Sequence, residues 1–235
     1  MTIKAKKKEA VSMKKKTLKD LVRDGIKEGS MLLMVGLPAT GKSTVAKYIA
    51  DSINFKILRT DMIRKELMDE KDLFDKEKAG SMESRRKIYQ ELFDRANDLI
   101  KDIKKKNSLI SQKGSLDSEM KESFSKYNGI ILDATFVKKD LREKAINIAA
   151  DVGVSLYIVQ TTCEEKIAVN RIESRTKEDY EANALSADIY FINKKLFDPV
   201  KIEEIHSKYP NLDVSFLVVD TSDCEPQECL VSLTK

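Results

Sequence analysis

The chain has 235 residues, of which 41% are hydrophobic, so it is long enough and apolar enough to bury the core of one large domain. Charged residues make up 35% of the chain, which indicates helices with solvated faces. No apolar stretch approaches the roughly 20 residues that a membrane-spanning helix needs, so we exclude an integral membrane protein.

The net charge of +4 is concentrated in residues 1–16, which hold seven lysines and one acidic residue, Glu9. The rest of the chain is close to neutral and lacks the basic surface that is typical of nucleic-acid-binding proteins. We interpret residues 1–16 as a disordered, solvated tail, although so many lysines could also hold RNA or a membrane surface. Of these two partners we retain RNA and expect no membrane. No apolar segment follows the lysines, so we expect no secretory signal.

Three cysteines are few for a chain of this length and lack the spacing of a metal site. They are Cys163, Cys224 and Cys229. We predict that all three are free thiols in a reducing compartment. The predicted localisation is therefore cytoplasmic.

The first predicted element is an amphipathic helix over residues 17–27. Its apolar residues recur at helical spacing: Leu18, Leu21, Val22 and Ile26. Thr17 can cap this helix, with Asp20 as the acid of a capping box. We expect the helix to lie against the core just before the first strand.

A phosphate-binding pattern, G-x-x-x-x-G-K-[ST], comes next. It comprises Gly36, Leu37, Pro38, Ala39, Thr40, Gly41, Lys42, Ser43 and Thr44. A buried strand over Met31–Val35 precedes it and a helix opens at about Lys42, so backbone N–H groups can wrap a phosphate at the helix N-terminus. Lys42 can reach the β- and γ-phosphates, and Ser43 can offer its hydroxyl to Mg²⁺. The alternative is a chance match in a turn.

A second strand, residues 55–60, runs into Asp61. Ligands of doubly wound sheets bind beyond the carboxyl ends of the strands, so Asp61 is expected near the phosphate-binding loop. Its carboxylate could accept a proton from an attacking hydroxyl, and Arg64, one helical turn later, could hold an anionic group of the acceptor. Asp61 could equally serve as the N-cap of a helix over residues 62–69.

The charged segment over residues 66–128 contains one long amphipathic helix, predicted over residues 84–105. Residues 107–127 combine serines and Gly114 without a firm period. We expect them to form an exposed loop that is weakly helical from residue 115. We interpret the whole segment over residues 66–128 as an insertion.

A third strand over residues 130–132 ends at Asp133. An acid in this position can bond Ser43 or a Mg²⁺-bound water, although apolar runs that end in aspartate are common. A helix over residues 140–151 follows, and Gly153 is its predicted C-terminal glycine.

Two arginines, Arg171 and Arg175, end the helix after the fourth strand. At i and i+4 they would share one helix face, where planar guanidinium groups suit phosphate oxygens. They could then offset the charge that builds up on a transferring phosphoryl group. By spacing alone, surface ion pairs with Glu173, Glu178 or Asp179 explain them better.

The remaining elements complete an alternation of strands and helices. Strands are predicted over residues 154–160 and 214–219, with a mobile segment over residues 180–187 and a helix capped by Ser186 between them. This order predicts an α/β fold with a five-stranded parallel sheet and helices on both faces. We expect residues 17–235 to form one domain.

These motifs occur in the order of a known family. Residues 36–44, Asp61-x-x-Arg64, residues 130–136, Arg171-x-x-x-Arg175 and the segments 186–188 and 197–199 resemble the P-loop kinases that include the phage-type polynucleotide 5′-hydroxyl kinase domain and many uncharacterised ATP-binding kinase-like proteins. The resemblance covers residues 31–220 and implies the P-loop NTPase fold with a helical lid.

The resemblance also implies roles for individual residues. ATP and Mg²⁺ would be the cofactors, with Ser43 and Asp133 at the metal. Asp61 would be the general base, and Arg64 would touch a phosphate of the acceptor. Arg171 and Arg175 would contact the donor phosphates.

The function predicted from the sequence is an ATP- and Mg²⁺-dependent kinase that acts on a hydroxyl group. The acceptor is either a nucleic-acid 5′-hydroxyl or a small molecule. An NTP-binding regulatory module without a phosphorylated product is the first alternative, and a toxin-like nucleotide-sugar kinase is the second.

Overall fold

The computed structural model describes residues 16–68, 82–115, 122–175 and 186–234. The predictions for the lysine tail up to residue 15, for residues 116–121 and for the mobile segment up to residue 185 lie outside these ranges. So do residues 69–81 of the predicted insertion. Lys16, the last residue of the predicted tail, lies in a short strand.

A single sheet of seven strands organises the described residues. The strands are β1 (Lys16–Thr17), β2 (Met31–Val35), β3 (Phe55–Arg59), β4 (Gly129–Asp133), β5 (Leu156–Thr162), β6 (Val214–Asp220) and β7 (Leu230–Thr234). Their order across the sheet is β1-β7-β6-β5-β2-β4-β3. Strands β2 to β6 pair in parallel, which confirms the predicted α/β class and its five parallel strands.

Two antiparallel strands that were not predicted extend the sheet on the side of β6. Strand β7 pairs with β6, and β1 pairs with β7. Strand β7 alternates between exposed residues and buried or partly buried ones, which is typical of an antiparallel strand with one solvated face. Strand β1 has only two residues, too few to produce a sequence pattern.

Eight α-helices are described along the chain. They are α1 (Leu18–Asp24), α2 (Lys42–Ile53), α3 (Thr60–Leu67), α4 (Met82–Lys113), α5 (Lys139–Val152), α6 (Glu165–Glu173), α7 (Ala187–Leu196) and α8 (Ile202–Lys208). No described helix is both long enough and apolar enough to cross a bilayer.

The apolar side chains of the sheet divide into two cores, one on each face. In β2, Leu33 faces the core that α4 and α5 cover, and Leu32 faces the core that α1 and α2 cover. Both side chains are fully buried. Burial of each such side chain contributes about 1.5–3 kcal/mol, so the helices are held to the sheet mainly by these two layers.

The helix ends follow local sequence signals. Thr17 forms the predicted capping box with Asp20: its Oγ1 accepts a hydrogen bond from the Asp20 N–H at 3.2 Å. Gly153 adopts φ 69° at the end of α5, as predicted. Helix α4 continues eight residues beyond the predicted end at Lys105 and stops only before Gly114 (φ 77°), so the predicted loop begins as helix. No glycine or proline interrupts the helix before Gly114.

Cys224 and Cys229 form a disulfide, and only Cys163 is a free thiol. The prediction of three free thiols was therefore wrong. The two bonded cysteines lie in the connection between β6 and β7. Because these strands are antiparallel neighbours, their connection folds back on itself and brings residues five apart into contact.

A buried arginine holds the chain that leaves β4. Arg142 is 4% exposed, and its Nη1 donates to the carbonyl oxygens of Phe136 at 2.8 Å and Val137 at 3.0 Å. Its Nη2 donates to the carbonyl oxygens of Asp198 at 2.6 Å and Pro199 at 3.3 Å. Arg142 thus explains why the Phe197-Asp198-Pro199 segment lies against the β4–α5 loop.

We expect Arg142→Met to lower the free energy of unfolding by about 3 kcal/mol, because two buried and two partly buried carbonyl groups each lose a charged donor. Urea denaturation measures the change. Arg95→Met is the control: Arg95 is a half-exposed arginine that ion-pairs with Glu66 and Glu91, and its loss should cost less than about 1 kcal/mol. Equal losses for the two variants would contradict the role given to Arg142.

Candidate active site

The phosphate-binding pattern forms a loop between β2 and α2, at the carboxyl end of the central strands. Gly36 adopts φ 150°, Ala39 φ 61° and Gly41 φ 81°, all in the left-handed region. A Cβ at Gly36 would lie 2.8 Å from the carbonyl oxygen of Thr161, so only glycine fits there. Gly41 is the N-cap of α2 and no side chain caps the helix, so its first N–H groups face the loop.

Threonines from three elements fix the loop from behind. The Thr40 hydroxyl lies 2.8 Å from the Thr161 hydroxyl at the end of β5. Thr221, just beyond β6, donates its hydroxyl to the Thr40 carbonyl oxygen at 3.0 Å. The Gly36 N–H donates to the Thr135 carbonyl oxygen at 3.1 Å. The sequence analysis did not predict a role for Thr161 or Thr221. Their position as polar residues at the ends of apolar strands could have indicated one.

Lys42 lies at the centre of the site and is 9% exposed. Its Nζ donates to the Leu37 carbonyl oxygen at 2.7 Å, across the loop. Burial lowers the pKa of Lys42 to about 8. The negative charges of Asp133 and Asp61 act in the opposite direction, because they favour the charged amine. The Lys42 amine is therefore positively charged at neutral pH, although it is poorly hydrated.

The two predicted metal ligands lie on adjacent elements. Ser43 is in the first turn of α2, and Asp133 ends β4, whose residues pair with those of β2. Asp133 is buried, and Arg59 at the end of β3 approaches its Oδ2 to 3.2 Å. Sequence reasoning missed Arg59, which pairs with Asp133 in register across β3 and β4.

The donor set fits Mg²⁺. A hydroxyl and a carboxylate are hard oxygen ligands, and Mg²⁺ usually keeps several waters and phosphate oxygens besides one or two protein ligands. No group of three or more histidine, cysteine, aspartate or glutamate residues that could hold a metal occurs among the described residues. Ser43 and Asp133 would thus hold Mg²⁺ together with the phosphates of a nucleotide.

Asp61 lies in the first turn of α3 and is half-buried. Helix α3 begins at Thr60 with Arg59 as N-cap, so the alternative in which Asp61 caps the helix was wrong. Arg64 donates from Nη1 to Asp61 Oδ1 at 3.1 Å, which fixes the orientation of the carboxylate. Burial lowers the pKa of Arg64, and the charge of Asp61 opposes this change.

A tyrosine that the sequence analysis did not single out lies on the same side of the site. The Tyr89 hydroxyl lies close to the Thr135 side chain and to the backbone of Phe136, and it lies within electrostatic range of Asp61 and Arg64. Burial raises the pKa of Tyr89, so its hydroxyl stays protonated. Its ring meets Phe136 edge-on, with the centroids 5.5 Å apart. Tyr89 thus connects α4 to the loop that follows Asp133.

The structure separates the two arginines that were predicted to act together. Helix α6 ends at Glu173, so Arg175 lies beyond it and does not share a helix face with Arg171. Arg171 donates from Nη2 to the Thr221 carbonyl oxygen at 2.7 Å and from Nη1 to the Ala39 carbonyl oxygen at 3.4 Å. Arg175 lies close enough to Lys42 to lower its pKa.

The described parts of the predicted lid cover the phosphate-binding loop. Ala168 and Ile172 of α6 pack with Tyr190 of α7 in a small apolar cluster, against which Leu37 and Ala39 of the loop are packed. Asp61, Asp133 and Arg175 lie within electrostatic range of Lys42, whereas Arg171 contacts the carbonyl oxygens of Ala39 and Thr221.

Comparisons with known proteins agree with this geometry. The family described as an AAA domain matches residues 31–189. A search of curated proteins finds no match. A gluconokinase from Sinorhizobium meliloti 1021 is 12% identical, with 85% of this chain and 87% of the gluconokinase covered and a TM-score of 0.52. Kti12 from Chaetomium thermophilum, in complex with ADP-AlF3, is also 12% identical, with 84% and 92% covered and a TM-score of 0.52. The chain belongs to the AAA-domain family, and its fold is that of the kinase-like, ATP-binding P-loop proteins.

Proposed function

We propose that the chain is an ATP- and Mg²⁺-dependent kinase that transfers the γ-phosphoryl group to a hydroxyl of its acceptor. One observation carries the proposal: Asp133 and Asp61 both lie within electrostatic range of the Lys42 amine, which belongs to a phosphate-binding loop. Kti12, which has a similar fold, binds ADP-AlF3, and this supports a nucleotide as the phosphate compound.

The residues around the phosphate-binding loop bind the phosphates of ATP, the phosphoryl donor, and offset their negative charge. The N–H groups at the start of α2 and the Lys42 amine bind the phosphates. When bound between Ser43, Asp133 and the phosphates, Mg²⁺ would neutralise part of the charge on the transferring group. Arg175 adds a positive charge near Lys42, and Arg171 keeps the loop in shape.

Asp61 and Arg64 act on the acceptor, whose hydroxyl has to lose its proton. Asp61 accepts the proton of the acceptor hydroxyl as its oxygen attacks the γ-phosphorus and the bond to the β-phosphate oxygen breaks. Arg64 orients the Asp61 carboxylate, and a guanidinium in this position suits an anionic group on the acceptor. A nucleic-acid 5′-end and a phosphorylated small molecule both carry such a group.

The decisive experiment offers γ-labelled ATP with Mg²⁺ to separate pools of acceptors: RNA with 5′-hydroxyl ends, nucleosides, nucleotide sugars, sugars and aminoglycosides. We expect label in one acceptor pool. Label in the nucleotide-sugar pool would favour the toxin-like alternative, and label only in free phosphate would favour the regulatory module. Failure to bind Mg²⁺-nucleotide would contradict all three.

We also propose that the lysine tail holds an RNA acceptor by phosphate contacts, in a cytoplasmic protein. If the acceptor is RNA, removal of residues 1–15 should raise its KM and reduce the salt dependence of that KM. The KM for ATP should not change. A tail that serves only solubility predicts unchanged kinetics.

The affinity for Mg²⁺-ADP should be constant below pH 8 and fall above it. The pKa of Lys42 in the free protein is lowered to about 8, so the amine loses the charge that attracts phosphate as the pH rises through this value. One proton then has to be taken up on binding, and the affinity decreases by up to about tenfold per pH unit. Calorimetric titration between about pH 7 and pH 9.5 measures the effect.

Two controls separate Lys42 from its neighbours in this titration. The affinity of Lys42→Ala should be low and independent of pH. Cys163→Ser should retain the wild-type profile, because burial raises the pKa of the nearby Cys163 thiol further above the neutral range. A flat profile for the wild type would exclude Lys42 as the titrating phosphate contact.

A further inference from the structure

The connection between β6 and β7, residues 221–229, lies behind the phosphate-binding loop. We call it the β6–β7 turn. Its second half is closed by the Cys224–Cys229 disulfide around a single 3₁₀ turn, Pro226–Glu228. Cys229 is 1% exposed and belongs to the core that α2 covers, whereas Cys224 is half-buried. The Leu18 N–H donates to the Cys229 carbonyl oxygen at 2.9 Å, which ties the turn to α1.

The first residue of the turn, Thr221, contacts the phosphate-binding loop directly. Its hydroxyl donates to the Thr40 carbonyl oxygen at 3.0 Å and also lies 3.1 Å from the Thr162 carbonyl oxygen. Gly41 is so close that a Cβ there would lie 3.2 Å from the Thr221 side chain. Thr221 is 5% exposed, so these contacts are shielded from water.

Arg171 adds a second connection between the turn and the loop. Its Nη2 donates to the Thr221 carbonyl oxygen at 2.7 Å, while Nη1 reaches the Ala39 carbonyl oxygen at 3.4 Å. Thr221 and Arg171 therefore support residues 39–41 between them. These residues include two in the left-handed region, Ala39 and Gly41, and such a backbone persists only where its surroundings hold it in place.

We propose that Thr221 is a positioning residue for the phosphate-binding loop and that the Cys224–Cys229 disulfide sets how firmly the β6–β7 turn holds it. The inference rests on the proposed function only for the identity of the ligand, a Mg²⁺-nucleotide. Only two residues, Ser222 and Asp223, separate Thr221 from the ring that the disulfide closes at Cys224, so the disulfide fixes the end of the short segment that leads from Thr221. Without it, holding Thr221 against Thr40 costs more conformational entropy.

Opening of the disulfide is an ordinary thiol–disulfide exchange with a dithiol reductant. One thiolate of the reductant attacks the half-buried sulfur of Cys224, and Cys229 leaves as a thiolate that takes up a proton. The second thiol of the reductant then closes its own disulfide and releases Cys224 as a thiol. Two electrons pass from the dithiol to the protein, and no other reactant is needed.

The experiment compares Mg²⁺-ADP affinity in oxidised and reduced full-length protein by calorimetry. We expect Thr221→Val, which keeps the side-chain shape, to weaken binding roughly fivefold, as the loss of one net hydrogen bond implies. Thr221→Ser should bind like the wild type. Reduction by dithiothreitol should weaken wild-type binding about threefold, as should the Cys224→Ser, Cys229→Ser double variant, which should no longer respond to reductant.

Two controls isolate the proposed effect. Cys163→Ser should respond to reductant as the wild type does. Thr17→Val removes the cap of α1, so its melting temperature should fall while its Kd stays unchanged. If Thr221→Val behaves like Thr17→Val, its role is structural and the proposal is wrong. An unchanged Kd after verified reduction would overturn the role of the disulfide.

Hydrogen exchange gives a second measurement that needs no ligand. The amides of residues 40–44 should exchange faster in Thr221→Val and in the reduced protein than in the oxidised wild type. If oxidised wild-type protein does not bind Mg²⁺-ADP, the proposed function fails, but faster exchange would still support the role of Thr221. Equal exchange in all three forms would overturn the proposal whatever the ligand.

Discussion

The Lys42→Ala variant should lose phosphoryl transfer by a factor on the order of a hundred or more, and its affinity for Mg²⁺-ADP should fall steeply. Lys42 is the one positive charge inside the loop, and its Nζ bonds only to the Leu37 carbonyl oxygen among the described residues. A phosphate that enters the loop replaces a neutral acceptor by an anionic one, so the gain on binding is large. Label transfer and calorimetry measure the two losses.

The same variant should not be less stable than the wild type. Burial lowers the pKa of Lys42 from 10.5 to about 8. Below pH 8 the amine is charged in both the folded and the unfolded chain, and the shift corresponds to about 3 kcal/mol that the folded state loses by holding this charge. Substitution by alanine removes this free-energy cost of burying the charge, and it also removes the packing contacts of the lysine methylene groups. The melting temperature at pH 7 should therefore be equal or higher.

Lys47→Ala is the matched control for Lys42→Ala. Lys47 lies on the same helix, α2, and is exposed, so its removal changes the net charge equally without touching the loop. It should retain wild-type turnover. If both variants lose turnover alike, the effect belongs to the overall charge and not to the phosphate-binding loop. If Lys42→Ala unfolds, the argument from its burial is wrong.

The parts of this site that are local in sequence could be predicted from it. The phosphate-binding loop needs only a strand, a run of nine residues and a helix that are adjacent in the chain, and the structure has that arrangement. Thr17 and Gly153 were predicted for the same reason, because a cap acts within one turn of its helix. The apolar stripe of α4 identified that helix, although not its end.

The contacts that depend on strand order could not be predicted. Thr221 reaches Thr40 because β6 lies beside β5 and β5 beside β2. Arg59 meets Asp133 because β3 and β4 pair in that register. No sequence period encodes these neighbours. The separation of Arg171 from Arg175 depends on the end of α6 at Glu173, where no glycine or proline signals a stop.

The Asp61→Asn variant should fold normally and bind Mg²⁺-ADP with wild-type affinity, but its turnover should fall by a factor on the order of a hundred or more. Asparagine keeps the shape of the side chain and an oxygen that can accept from Arg64 Nη1, which lies 3.1 Å away in the wild type. It cannot take up the proton of an attacking hydroxyl. Turnover is measured with the acceptor that label transfer identifies, or as ATP hydrolysis if water is the only acceptor.

Asp140→Asn is the control that separates proton transfer from helix stability. Asp140 is an exposed acid in the first turn of α5, as Asp61 is an acid in the first turn of α3, and each favours its helix through the dipole by about 0.3–1 kcal/mol. Asp140→Asn should lose this contribution alone, Asp61→Asn should also lose the charge that pairs with Arg64, and only Asp61→Asn should lose turnover. Full turnover in Asp61→Asn would remove the general base from the proposed mechanism. A loss of turnover together with nucleotide affinity would place Asp61 on the donor side, since a base for the acceptor hydroxyl does not contribute to binding of ADP.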